Sequence, residues 1–270
     1  MKRLLSAMVL LSVASPVLAA EGEAADGEFS LTAGIQYTTG KYGNAAATDI
    51  LYIPVTGQYQ SGNLTLWLTV PYISVTGPGG VIQGFGRVAS PTGTAAGMPK
   101  FGRAAPGATL TNSGLGDVIT AAGYTVYSGD KFSVDAVGKI KFGTADADKG
   151  LGTGKNDYAA QLDGYYALAA DTTLLVTGGY KIVGAPDGIA TNNVPYGMLG
   201  LDEKVGEVSS VGVMYNAAKS VAPGIPGQRD VTLYASKELS PTFTVRVNVL
   251  KGFSDASPDY GGGLMVTGYF

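Results

Sequence analysis

The sequence of 270 residues contains no cysteine and no histidine. Without cysteine, disulfides contribute nothing, and closed hydrogen bonding has to hold the fold together. Without histidine, the chain lacks the usual general base of enzymes and the commonest ligand of transition metals. Charged residues make up only 14%, with no basic patch of the kind that binds nucleic acid. We therefore expect no catalytic site, no metal site, no cofactor and no nucleic-acid partner.

Long apolar segments are also missing after the N-terminus. No later stretch reaches the ~18 apolar residues that a transmembrane helix needs. Glycine (41 residues) and tyrosine (16 residues) are abundant instead. Glycine-rich β-structure with many tyrosines is typical of a barrel whose outer face meets lipid and whose rims carry aromatic belts. No Pro- or Ser-rich linker divides the pattern, so we expect a single domain.

The N-terminus has the pattern of a secretory signal peptide. Residues 2–3 are basic, Leu4–Val13 is a short apolar run, and Pro16–Ala19 offers small residues before a cleavage point. A membrane anchor is the alternative, but the run is too short to span ~30 Å of hydrocarbon. The predicted segments are a cleaved signal peptide at 1–19, a periplasmic lead-in at 20–28 and an outer-membrane barrel at 29–270.

Alternation of apolar and polar residues is the main signal in the mature chain. The stretch Leu64–Tyr72 shows it best, since Leu66 and Leu68 fall on one face and Trp67 on the other. Short turns and longer loops alternate strictly between such stretches, as a transmembrane barrel with both termini in the periplasm requires. We predict an all-β fold, a transmembrane antiparallel β-barrel of twelve strands in the bacterial outer membrane. The strands are predicted near 31–37, 51–59, 64–72, 115–127, 132–142, 158–166, 174–182, 195–201, 208–217, 230–236, 243–249 and 261–270.

The last predicted strand ends on an aromatic residue, Phe270. Leu264 and Val266 share its face, with Met265 and Thr267 on the other. A closing strand that ends in Phe resembles the assembly signal of bacterial outer-membrane barrels. We therefore predict Phe270 as that signal, with the outer-membrane barrel assembly machinery and outer-membrane lipid as partners.

Charged residues recur on the face opposite the apolar one. A charge on the lipid face would cost roughly 2–4 kcal/mol near the midplane, so these residues are predicted to line the lumen. Two interpretations stay open. The charges either define a solute path, or Lys139 and Lys141 neutralise Asp157 and Asp163 on the neighbouring strand and support the wall. The predicted lumen-lining residues are Trp67, Asp135, Lys139, Lys141, Asp157, Asp163, Lys181, Asp230 and Arg246.

Trp67 and the long stretch 76–113 are further functional candidates. Trp67 either stacks an aromatic solute or packs within the interior. Loops beyond ~12–15 residues without structure of their own are usually functional or disordered. The stretch 76–113 is unusually apolar, so we hypothesise that it folds inward or over the mouth, as a constriction or as a hydrophobic solute site. A flexible outer flap is the alternative. Its candidate gating residues are Val81, Ile82, Phe85 and Phe101.

Two motifs in the predicted loop 143–156 have weak functional interpretations. Asp146 and Asp148 have the oxygen ligands that Ca²⁺ prefers, but they lack the full spacing of a calcium loop, so we expect an exposed acidic loop. Gly150–Lys155 is superficially similar to a phosphate-binding loop, but it does not join a strand to a helix.

Several motifs together resemble a known family. They are Leu68-Thr-Val-Pro-Tyr72, Gly114-Leu-Gly-Asp117, Gly150-Leu-Gly-Thr-Gly154, Leu233-Tyr-Ala-Ser236 and Leu250-Lys-Gly-Phe-Ser-Asp-Ala-Ser-Pro-Asp-Tyr-Gly261. The chain is similar in them to the outer-membrane transporter family named for the meta-pathway of phenol degradation. The resemblance covers most of the mature chain, and the last motif is the most specific. It implies uptake of hydrophobic or aromatic solutes and assigns no individual functional residue.

The sequence thus favours a passive outer-membrane channel for small hydrophobic or aromatic solutes. A structural or adhesive barrel with a closed lumen is the alternative. An outer-membrane hydrolase is disfavoured, because its serine nucleophile would need an imidazole base. A soluble periplasmic β-protein is opposed by the apolar outward faces and the terminal Phe270.

Overall fold

The structure is a computed structural model, and it describes residues 27–42, 45–78, 81–83, 88–91, 109–186, 188, 190–221 and 223–270. Within these residues no helix is long and apolar enough to cross a membrane. The strands are β1 (Glu28–Gly40), β2 (Thr48–Ser61), β3 (Leu64–Gly77), β4 (Val81–Gln83), β5 (Val88–Pro91), β6 (Leu110–Leu115), β7 (Ile119–Ser128), β8 (Phe132–Lys141), β9 (Asp157–Ala167), β10 (Thr172–Ile182), β11 (Val194–Lys204), β12 (Ser209–Ala218), β13 (Gln228–Ser240), β14 (Phe243–Gly252) and β15 (Tyr260–Tyr269).

The strands close into one antiparallel barrel. Thirteen of them form a sheet in which β1 pairs with β15 and β2 pairs with β3, so the sheet returns to its own start. β6 and β7 both pair with β3 and share one position in the wall, which leaves twelve positions around the barrel. The predicted twelve-strand fold is therefore confirmed. Closure gives each of the twelve positions in the wall a partner on both sides, which lipid requires.

One predicted strand differs from the structure. The stretch 115–127 was expected to be continuous, but the wall is interrupted at 116–118 between β6 and β7. The amide of Gly116 still donates to the carbonyl of Pro71 on β3, at 2.8 Å. The interruption is thus a bulge that turns one side chain, Asp117, out of the strand alternation.

The connections sort by length at the two ends of the barrel, as predicted. We call these the turn end and the loop end. The turn end carries the short connections 62–63, 129–131, 168–171, 205–208 and 241–242. The loop end carries the longer connections 41–47, 78–109, 142–156, 183–193, 219–227 and 253–259.

The outer face is apolar. On β3, Leu66 and Leu68 are 41% and 50% exposed, whereas Trp67 between them is 9% exposed. Large exposed aromatic side chains lie near both ends of the wall and form the two girdles of a membrane barrel. At the turn end these are Phe29, Tyr59, Tyr127, Phe132, Tyr166, Phe243 and Phe270; towards the loop end they are Tyr37, Tyr72, Tyr158, Tyr180, Tyr215 and Tyr260.

Phe270 lies at the seam that closes the barrel. β15 pairs with β1 from Ser30 opposite Tyr269 to Thr39 opposite Tyr260. Beyond that ladder, the amide of Phe270 donates to the carbonyl of Phe29 at 2.9 Å, and the two rings lie 6.1 Å apart. The Phe270 side chain is otherwise 76% exposed, so it contributes little to packing within the barrel.

We predict that Phe270→Ala lowers the amount of protein in the outer membrane without changing the stability of the folded barrel. An exposed side chain changes stability by about 0.5 kcal/mol or less, so the refolded variant should unfold in urea like the wild type. Its amount in the outer membrane should fall if Phe270 is the assembly signal. Leu239→Ala, at an exposed residue near the end of β13, is the control. Equal outer-membrane levels of the two variants would show that Phe270 carries no signal.

Candidate functional site in the barrel interior

The residues predicted to line the lumen all lie on the inner face of the wall. Trp67 and Asp157 alternate with exposed neighbours, as does Lys181 on β10. Asp135, Lys139 and Lys181 are half-buried, whereas Trp67, Lys141, Asp157, Asp163, Asp230 and Arg246 are buried. Their part in a solute path remains a prediction. The structure adds the contacts that each one makes.

A buried ion triad lies at the loop end of the wall. The ammonium of Lys141 is 2.7 Å from Asp117 and 3.4 Å from Asp157, and all three side chains are almost fully buried. The contact to Asp157 is the neighbouring-strand pair that the sequence interpretation proposed. For Lys139 and Asp163, the second proposed pair, the described residues show no ion pair within 4.0 Å.

Asp117 was not among the predicted site residues. It sits in the bulge between β6 and β7, where alternation no longer indicates which face a residue occupies. Its place in the Gly114–Asp117 motif is the signal that could have found it. One Asp117 oxygen accepts from Lys141, and the other accepts from the amide of Ala145 at 2.9 Å. Asp117 therefore ties the wall to the connection 142–156.

The connection 142–156 folds partly into the barrel. Leu151 is 1% exposed and Ala145 is 6% exposed. Both belong to an apolar group that we call the loop-end cluster: Tyr42, Ile50, Tyr52, Ile73, Val75, Ala145 and Leu151. Asp146 is exposed, as expected of the acidic part of this loop, whereas Leu151 is buried because burial of its apolar side chain is favourable.

Two titratable groups at the loop end have pKa values that are shifted in opposite directions. Burial in the loop-end cluster raises the pKa of Tyr42 to about 12. The backbone amide of Lys149 holds the pKa of Asp146 below its usual value, because it donates to the ionised carboxylate. Asp146 also lies 3.5 Å from the Lys149 ammonium. Asp146 thus caps its own turn with its carboxylate.

A polar chain crosses the inner wall from β11 to β9. The Tyr196 hydroxyl donates to the side-chain oxygen Oε1 of Gln161 at 2.9 Å. The side-chain nitrogen Nε2 of Gln161 donates in turn to the Asp163 carboxylate at 2.6 Å. The second Asp163 oxygen accepts from the Thr177 hydroxyl at 2.6 Å. Asp163 is 1% exposed, so these hydrogen bonds replace the water that its carboxylate has lost.

Inward glycines let aromatic rings lie flat against the wall. A Cβ at Gly179 would collide with the Tyr196 ring, and a Cβ at Gly212 would collide with the Tyr234 ring. At Gly123 it would lie 2.8 Å from the Trp67 ring. Flat rings take less of the interior than rings that project across it. The absence of a side chain at these three positions thus makes room for the three rings against the wall.

Trp67 and Tyr234 are also held by polar partners. The Trp67 indole donates to Gln58 at 2.9 Å, and the Tyr234 hydroxyl donates to Asp202. The Arg246 guanidinium lies 4.6 Å from the centre of the Tyr234 ring, in cation–π geometry. Trp67 therefore packs against the wall, and its stacking with a solute stays a prediction.

The inner wall carries an apolar group that alternation alone did not single out. We call it the inner-wall cluster: Tyr165, Leu175, Met198, Met214 and Tyr234, all 7% exposed or less. Its members come from five consecutive strands, β9 to β13. A water-filled porin has a polar interior. This wall therefore differs from that of a channel dedicated to hydrophilic solutes.

The candidate gating residues can be assessed only in part. Val81 and Ile82 lie in β4, which pairs with β5, and only their backbone is described. Phe85 and Phe101 lie outside the described residues. The pairing of β3 with β6 extends from Tyr72 opposite Leu115 to Gly77 opposite Leu110, so the connection is shorter than the predicted 76–113.

Comparison with known proteins supports the fold. No protein-family model matches the chain, and no curated protein matches its sequence. Among solved structures, the COG4313 outer membrane channel from Pseudomonas putida F1 is similar over 96% of this chain and 100% of its own, with 13% identity and a TM-score of 0.66.

Two porins share the same likeness. The NanC porin matches over 88% of this chain and 98% of its own, with 9% identity and a TM-score of 0.56. The KdgM porin matches over 89% and 99%, with 11% identity and a TM-score of 0.53. At such identities the likeness shows the barrel fold. The apolar outer belt and the aromatic girdles, on a fold shared with outer-membrane proteins, place the chain in the bacterial outer membrane as predicted.

We predict that Gly179→Ala destabilises the barrel and that Gly178→Ala does not. The new Cβ at 179 would collide with the Tyr196 ring, whereas a Cβ at 178 meets nothing within 4 Å. Overpacking typically costs about 1–3 kcal/mol. Urea unfolding of the refolded variants measures the difference. Equal stabilities would contradict the proposed fit between ring and glycine.

We predict a larger loss for Asp117→Ala. Removing one partner of a buried ion pair costs roughly 3–5 kcal/mol, because a charge stays buried with fewer partners. Asp146→Ala should cost much less, since its ion pair with Lys149 is exposed and screened by water. Unfolding in urea checks the order of the two variants. A loss at Asp117 no larger than that at Asp146 would show that the triad does not stabilise the wall.

Proposed function

We propose that this protein is an outer-membrane channel through which small hydrophobic solutes pass passively. The closed barrel supports this function, since its interior offers a route across a membrane that its outer face fits. The likeness to an outer membrane channel and to two porins agrees with it at the level of the fold. Passive movement down a gradient needs no cofactor.

The observation that carries the hydrophobic solute class is the inner-wall cluster. Met198 and Met214 are flexible and polarisable, and they adapt to ligands of different shape. Tyr165 and Tyr234 add aromatic surface beside them. A solute without charge loses little by leaving water for such a wall. Aromatic solutes also fit the family resemblance of the sequence motifs, and we propose membership of that family on those motifs.

The solute class can be tested on single channels. Phenol added to the refolded protein in planar bilayers should reduce the open-channel current in a concentration-dependent way. Met214→Gln should weaken this block by about tenfold, which corresponds to about 1.4 kcal/mol of lost apolar contact. Leu239→Gln makes a similar change in polarity at an exposed residue near the end of β13 and should leave the block unchanged.

The outcome also separates the two functions left open by the sequence. A discrete conductance blocked by phenol supports the channel. Protein that refolds fully but is silent at every voltage would indicate a closed lumen and a structural or adhesive barrel. If phenol blocks the Met214 and Leu239 variants equally, the inner-wall cluster does not line the solute path.

We also propose that the connection 78–109 constricts the mouth at the loop end. Because Gly77 pairs with Leu110, the whole connection can be replaced by Asn-Gly, the residues of a two-residue hairpin turn. The replacement keeps the ladder of β3 and β6 intact. We expect a larger single-channel conductance than in the wild type. An unchanged conductance would indicate an outer flap that lies away from the route.

A further inference from the structure

Four polar side chains form a compact group on the inner face of β8 and β9. Asp135 lies directly opposite Asp163, and Ser133 lies directly opposite Tyr165 in the next inward-facing row. The Tyr165 hydroxyl lies within electrostatic range of both carboxylates. We call this group the carboxylate pocket. It lies towards the turn end, away from the Lys141 triad.

Three oxygen atoms of the carboxylate pocket have no hydrogen-bond partner among the described residues. They are the Ser133 hydroxyl, one Asp135 carboxylate oxygen and the Tyr165 hydroxyl. Ser133 and Tyr165 are each only 3% exposed. A buried polar atom without a partner is destabilising, so three such atoms on adjacent rows of one wall indicate a group that they jointly bind.

The negative charge of the carboxylate pocket indicates that the bound group carries a positive charge. Two carboxylates directly opposite each other on neighbouring strands repel. Lys139 is within electrostatic range of Asp163, but the described residues show no ion pair within 4.0 Å for Asp135, Asp163 or Lys139. The pocket therefore has an excess of negative charge and would repel an anion.

The number of pocket oxygens that remain available indicates which class of cation fits. Both Asp163 oxygens already accept hydrogen bonds, from Gln161 and Thr177. Asp135 also interacts with the Thr125 side chain on its other neighbouring strand. The described residues contain no group of three or more His, Cys, Asp or Glu side chains that could hold a metal ion. Two carboxylates with two hydroxyls suit a group of single positive charge with several N–H donors.

We propose that the carboxylate pocket binds a primary ammonium group within the barrel. The ammonium donates to the free oxygen of Asp135 and to the hydroxyls of Ser133 and Tyr165, while Asp163 supplies the second negative charge. Such a subsite slows amine-bearing solutes and makes the interior prefer cations to anions. The inference rests on the proposed function only in that the pocket must be reachable from the interior.

Methylammonium is the probe, and tetramethylammonium is its control, because it carries the same charge without N–H donors. The first readout needs no conduction: the urea midpoint of the refolded protein in detergent. A ligand that binds only the folded state stabilises it, so methylammonium should raise this midpoint more than tetramethylammonium. Asp135→Asn should abolish the difference, and Asp146→Asn, at an exposed loop carboxylate, should retain it.

The second readout is the reversal potential of single channels in a KCl gradient. Asp135→Asn should lower the cation preference, and Lys139→Gln should raise it, because the two changes shift the charge of the interior in opposite directions. Ser133→Ala removes an uncharged ligand of the ammonium group. It should weaken the stabilisation by methylammonium and leave the reversal potential unchanged. It keeps the test decisive if Asp135→Asn does not fold.

The results separate the pocket from the channel. Methylammonium stabilisation in a protein without conductance would support the pocket and contradict the channel. A conducting channel in which methylammonium and tetramethylammonium act equally would contradict the pocket. Stabilisation that survives Asp135→Asn and Ser133→Ala would also overturn it. A higher stability of Asp135→Asn, with no methylammonium effect in the wild type, would show that the two acids share a proton instead.

Discussion

The structure depends on one constraint: within lipid, every backbone amide and carbonyl of the wall must find its partner in the wall itself. The pairing of β1 with β15 meets it, because it closes the twelve positions of the wall into a ring. Closure then imposes the alternation along each strand. Apolar side chains such as Leu68 face outward, and charged side chains such as Lys141 and Asp163 are buried on the inner side.

The interior solves the resulting packing problem in two ways. Where rings are large, the neighbouring strand has glycine, so that Tyr196 lies over Gly179 and Tyr234 lies over Gly212. Where charges are buried, partners from the wall surround them, as Asp117 and Asp157 surround Lys141. Glycines and buried ion pairs thus both serve to accommodate large or charged side chains inside the barrel.

The period of two along the strands was enough to predict the barrel, its twelve positions and the inward direction of residues such as Lys141 and Asp163. Turn chemistry and connection length were enough to assign each connection to the turn end or the loop end of the barrel. Asp117 was missed because a bulge carries no periodicity, and the burial of Leu151 was missed because a loop has none either. The inner-wall cluster assembles from five strands, so no local pattern displays it.

The central claim is that the interior binds small hydrophobic solutes at the inner-wall cluster. A crystal structure of the refolded protein soaked with bromobenzene tests it most directly, since bromine is located by its anomalous scattering. The account predicts a bromine peak inside the barrel, beside Met198, Met214 and Tyr234. Bromine found only on the lipid-facing surface, with none inside the wall, would contradict it.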